Sequence, residues 1–75
     1  MQEIAVGSNV RVVERAELEA HLRSPDPRER PEPEQFPCAG RVARVVGVRL
    51  GAAHQPLYVL QDLPGLWREA WLRPR

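Results

Sequence analysis

The chain has 75 residues and a formal net charge of +1, and 43% of it is hydrophobic. A domain of that size buries only about 60% of its unfolded surface, so there is room for one domain and one core. The charge supplies no general field for nucleic acid or anionic lipid, and no apolar run approaches the length of a membrane span.

The eleven basic residues are all arginine. GC-rich codon usage alone produces such a composition, but arginine also forms planar, bidentate contacts with oxyanions. The single Cys38 excludes an internal disulfide and a zinc site built on several thiolates. With no secretory-type segment at Met1, a soluble, cytoplasmic chain is expected.

Gly7-Ser8-Asn9 is a turn-like entry to a first strand at Val10-Arg11-Val12-Val13. From Arg15 to Arg23 the period becomes helical. Leu18 and Leu22 are four apart, Glu19 stands four before Arg23, and Glu17 four before His21. One or two helical turns are expected there, held by docking of the leucine pair. Ser24 to Pro37 then holds five of the eight prolines among charged residues. Proline denies helix and sheet pairing, which predicts an extended, polyproline-like surface loop pinned near its end by Phe36.

Gly40 to Leu50 is the longest β-rich run, with Val42, Val45, Val46, Val48 and Leu50 punctuated by Arg41, Arg44 and Arg49. The alternation slips at Val45-Val46 ahead of Gly47, which predicts a bulge or bend. The three arginines read equally as the lining of one barrel face or as a solvated strand face. After a connection at residues 51–56, Tyr58, Leu60 and Asp62 alternate with Leu57, Val59 and Gln61 as in a half-buried strand. A turn is expected at Asp62-Leu63-Pro64-Gly65, with Pro64 at its first central position and Gly65 at positive φ. Leu66-Trp67 resumes as strand, Arg68 to Trp71 allows one helical turn, and Leu72 to Pro74 closes the chain.

These elements predict an all-β fold, a small SH3-like barrel of about five strands with a short helix. One domain is expected over residues 1–75, with the Pro-rich loop spanning residues 24–37. The only Tyr and both Trp lie in its second half. Trp67 and Trp71, four apart, would make a stacking platform if exposed, but such spacing more often marks core, and at least one is expected inside. Cys38 with His21 and His54 has the residue types of a metal site without any uniting spacing. Isolated side chains are the favoured reading, with Cys38 a small apolar filler.

Taken in order, the motifs resemble the SH3-like C-terminal domain of the nitrile hydratase β subunit, and more loosely the ferredoxin–thioredoxin reductase variable chain. Gly7-Ser8-Asn9-Val10-Arg11-Val12 is similar to the family's Gly-Asp-x-Val-x-Val opening, with Ser8 in place of Asp. His21-Leu22-Arg23-Ser24-Pro25 matches His-x-Arg-x-Pro, and Gly40 to Val45 the Gly-x-x-x-x-Val strand. Gln55-Pro56-Leu57-Tyr58-Val59 is a shortened Gln-Pro-x-x-Leu-Tyr-x-Val. Leu66-Trp67 and Trp71-Leu72-Arg73-Pro74 resemble the family's ending. The Pro-rich loop is longer than in the family, and the helical half of such a subunit has no counterpart here.

The resemblance implies a non-catalytic accessory subunit docked on a protein partner, with cobalt or iron held by that metal-bearing or redox subunit and no cofactor in this chain. It further implies that Arg23 offers a guanidinium to the partner's oxidised sulfur ligands, since sulfenate and sulfinate are oxyanions that the fork fits. Arg23, His21, Tyr58, Trp67 and Trp71 are accordingly the candidate partner-binding residues. The bland reading of Arg23 is a surface side chain paired with Glu19, worth about 0.3–0.5 kcal/mol. A free-standing SH3-like module for nucleic acid or Pro-rich peptide is the second functional reading. The acidic residues of the Pro-rich loop disfavour its nucleic-acid form.

Overall fold

The computed structural model describes residues 4–51 and 55–75, and these build five antiparallel strands and several short helical turns around one core. Strand β1 (Asn9–Val12) alternates, with Val10 and Val12 fully buried and Asn9 and Arg11 exposed. Helix α1 (Arg15–Ala20) follows and tightens into a 3₁₀ turn, η1 (His21–Arg23). A helix this short is marginal alone and depends on docking. Leu18 docks it and is fully buried, whereas Leu22 is 45% exposed. The expected leucine pair is therefore a single anchor, because the tighter 3₁₀ winding rotates Leu22 off the buried face.

The Pro-rich segment differs from the extended loop expected of it. It contains two further 3₁₀ turns, η2 (Pro27–Glu29) and η3 (Pro33–Cys38). Each starts on a proline, the one helical position where a missing N–H costs nothing and a fixed φ helps. The Asp26 carboxylate accepts from the Arg28 backbone N–H at 2.9 Å and caps η2. Pro31, Gln35 and Cys38 are buried, and Phe36 packs partly buried against the core as expected. The Arg15 guanidinium lies 5.7 Å from the Phe36 ring centroid, tying α1 to this segment.

Strand β2 (Val42–Leu50) belongs to both halves of the fold. Val42 to Arg44 pairs with β1, and Val45 to Leu50 pairs with β3 (Pro56–Leu60), with a register shift between Val45 and Gly47. The bulge expected there is present, and it lets one strand serve two partners.

The turn after β3 closes upstream of its expected place. Leu63 N–H donates to Leu60 C=O at 3.3 Å, and Asp62 takes φ 64°, a left-handed position that aspartate tolerates. Gly65 does adopt positive φ, at 78°. Strand β4 (Trp67–Arg68), a 3₁₀ turn η4 (Glu69–Trp71) and strand β5 (Leu72–Pro74) complete the chain.

β5 returns beside β1, with Leu72 opposite Val12, which gives the strand order β4-β3-β2-β1-β5. β4 and β5 do not pair with each other, so the sheet is open where the sequence led us to expect a closed cylinder. A two-residue β4 followed directly by η4 leaves no backbone to span that gap. Among the described residues no helix is long and apolar enough to cross a membrane.

Candidate functional site

The 3₁₀ turn η1 carries the first two candidate residues. His21 is half-buried, its ring centroid 6.1 Å from that of Trp71. Arg23 is exposed at the end of η1, and its side chain makes no hydrogen bond or ion pair with the described residues. Its expected partner Glu19 is instead engaged by Arg15 at 3.3 Å, and Glu17 by Arg73 at 2.7 Å. Neither helical-spacing pair, Glu19 with Arg23 or Glu17 with His21, therefore forms.

The three aromatic candidates lie in the core. Tyr58 is 1% exposed, Trp67 fully buried and Trp71 3% exposed, so they shape the surface from beneath. Trp67 and Trp71 meet edge to face, centroids 6.2 Å apart at 84°, the geometry their quadrupoles favour. Both indole N–H groups are buried without an acceptor among the described residues. The fold thus brings His21 and Trp71 together, leaves Arg23 outside, and places Tyr58 and Trp67 inside. Cys38 is buried and its thiol lies 3.9 Å from the Glu34 carbonyl. His54 lies outside the described residues. Among those described, no three His, Cys, Asp or Glu side chains gather as metal ligands.

Two adjoining depressions share Arg68 and Trp71. The larger, about 840 Å³, is bordered by His21, Glu29, Gln55, Pro56 and Leu72. The smaller, about 320 Å³, has Leu57, Leu66 and Trp71 as its apolar lining and Arg28, Arg30 and Arg68 as its cations. Arg68 Nε donates to the Arg28 carbonyl at 2.9 Å and Nη1 to Gln55 Oε1 at 2.6 Å. Arg30 Nε donates to the Ser24 carbonyl at 2.9 Å. Arg28 grips Asp26 with Nε and Nη2, both at 3.1 Å. That hydrogen bond, ahead of the bond from the Arg28 backbone N–H, holds the Asp26 carboxyl below its usual value.

Sequence reading missed this arginine cluster. Arg68 read as a helix-tolerant residue, and its contact with Arg28 joins positions 40 apart. No local period marks such a pair. A second surface feature lies on β2, where Val42, Val46, Val48 and Leu50 are exposed.

No protein-family model, curated protein or solved structure matches the chain.

Proposed function

We propose that this chain is an SH3-like barrel acting as a non-catalytic accessory subunit, docked on a partner protein in the manner of the nitrile hydratase β subunit. The connectivity supports the barrel. One bent strand pairs with β1 along its first half and with β3 along its second, and a 3₁₀ turn leads into a last strand that returns beside the first.

The observation that carries docking is the apolar exposure of a single strand. Val42, Val46 and Val48 are 43–48% exposed and Leu50 is 73% exposed, on a domain too small to spare so much apolar surface. The register shift turns the strand over, so Val48 and Leu50, opposite Tyr58 and Pro56, share one face while Val42, opposite Arg11, lies on the other; exposed apolar surface of this kind marks interaction sites. Burial of Tyr58, Trp67 and Trp71 favours this reading over a stacking platform for bases or Pro-rich peptide, which needs aromatic faces in solvent. Arg23, whose side chain has no partner among the described residues, would meet an oxyanion on the partner, whose subunit holds any cobalt or iron. The complex would work in the cytoplasm.

The test is affinity purification of the tagged chain from its own cells, followed by size exclusion, native mass spectrometry and metal analysis. The expected result is a stoichiometric complex with one polypeptide that carries the metal. A monomer in every extract, together with salt-sensitive oligonucleotide binding, would replace this reading with the binding-module one.

A further inference from the structure

We infer that the arginine-lined depression between η2 and β4 is a receptor for an acidic, apolar segment of the partner protein, a conclusion that rests on the docking role above. Three cations, Arg28, Arg30 and Arg68, face one carboxylate, Glu32, around an apolar lining of Leu57, Leu66 and Trp71. The three guanidinium groups are not equivalent. Arg28 is neutralised by Asp26. Arg30 and Arg68 form no ion pair among the described residues; there their guanidinium hydrogen bonds run to the Ser24 and Arg28 carbonyls and the Gln55 amide.

Neutral acceptors orient a guanidinium without cancelling its charge, and they leave its other donors unused. Arg68 Nη2 and both terminal nitrogens of Arg30 have no partner among the described residues. Arg68 is also half-buried, and the Asp26 carboxylate that feels its charge is already gripped by Arg28. A carboxylate arriving from outside would gain charge-assisted, bidentate bonds to groups already held in place.

The lining then selects among anions. Leu66 is 41% exposed and Leu57 partly so, which suits an aliphatic or aromatic side chain beside the acid. The adjoining larger depression has Glu29 and Glu69 to offset Arg68 and Arg73, so the cationic bias is confined to the smaller one. A glutamate or aspartate next to a leucine or phenylalanine, presented in an extended segment, satisfies both halves of this site.

The experiment titrates the full chain with a capped peptide carrying alternating Glu and Leu. A control peptide has Gln at every Glu, and a short oligonucleotide is a second control. Amide chemical shifts and tryptophan fluorescence are the readouts. The acidic peptide is expected to shift resonances of residues 28–30, 57 and 66–68, and added salt should weaken it. Arg30→Gln is expected to cut affinity about tenfold or more with the amide spectrum otherwise unchanged. Arg68→Gln should cut it further, and because it also loses two internal hydrogen bonds, Arg30→Gln is the deciding variant.

Equal binding of the Gln peptide, or unchanged affinity in Arg30→Gln, overturns the inference. So does tighter binding of the oligonucleotide, or self-association that Arg30→Gln abolishes. A cellular complex that survives Arg30→Gln would remove this receptor while leaving the accessory role standing. Peptide binding in a chain with no cellular partner would remove the accessory role instead.

Discussion

Gln35 and Leu66 are joined across 31 positions by a hydrogen bond from the Gln35 Nε2 to the Leu66 carbonyl, 2.8 Å long. The other end of the same amide, Oε1, accepts from the Glu32 backbone N–H at 2.8 Å. Gln35 is 1% exposed, so a buried polar side chain is satisfied at both ends and fastens the Pro-rich segment to the β3–β4 connection. This link joins the Asp26 cap, Phe36 and buried Pro31 in holding a segment with five prolines.

Replacing Gln35 by leucine keeps the bulk and removes both bonds. Each backbone group left unpaired in the interior costs about 1–3 kcal/mol, so the urea midpoint of Gln35→Leu should fall well below that of the parent. Gln35→Glu should lose more at neutral pH than at acid pH, because an ionised carboxylate would face the Leu66 carbonyl. A Gln35→Leu variant unfolding at the parent's midpoint would show that the link contributes nothing.

Gly65 stands against the same amide. Its φ of 78° and a Cβ that would sit 2.9 Å from Gln35 Nε2 make any side chain there doubly unwelcome. Gly65→Ala is expected to destabilise by about 1–3 kcal/mol through left-handed strain and the displaced amide. Combined with Gln35→Ala it should cost less than the sum of the two single changes, because the clash disappears. Strict additivity in a double-mutant cycle would mean the two residues do not touch.

The two leucines of the first helical segment should behave oppositely. Leu18→Ala opens a cavity beneath α1 and is expected to cost about 2–5 kcal/mol, much of what so small a domain has. Leu22→Ala at the surface should stay within about 0.5 kcal/mol. Thermal denaturation of both variants decides this, and equal losses would return Leu22 to the core.

Asp26 gives a pH signature. Arg28 favours its ionised form in the folded protein, so the folded value lies below the unfolded one. The contribution is present above the unfolded pKa of about 4 and is lost as pH falls through the lower folded value. The pair is solvent-screened, so the effect is small and shrinks with salt. An NMR titration should place the Asp26 carboxyl midpoint below that of an ordinary aspartate. Arg28→Gln should raise it; a midpoint that ignores Arg28 would contradict the contact.

Much of the β framework was legible in the sequence because period two and a slipped alternation are local signals. Val10 and Val12 facing inward, the bulge at Val45 to Gly47 and the short return of Leu72 to Pro74 all follow from neighbours in the chain. The Pro-rich segment was misjudged because proline was read as a helix breaker, whereas Pro27 and Pro33 sit where proline starts a turn. The arginine cluster was invisible for another reason. Arg28, Arg30 and Arg68 meet only once η2 folds over β4, and no one-dimensional pattern encodes that approach.

The accessory role is tested most directly by amide hydrogen exchange on the tagged chain, free and in the complex recovered from its own cells. Bound partner should slow exchange along Val46 to Leu50 of β2 and around Arg23, while buried β1 stays unchanged. Identical exchange in both states, or a chain that emerges alone from every extract, would contradict a subunit whose work is to dock.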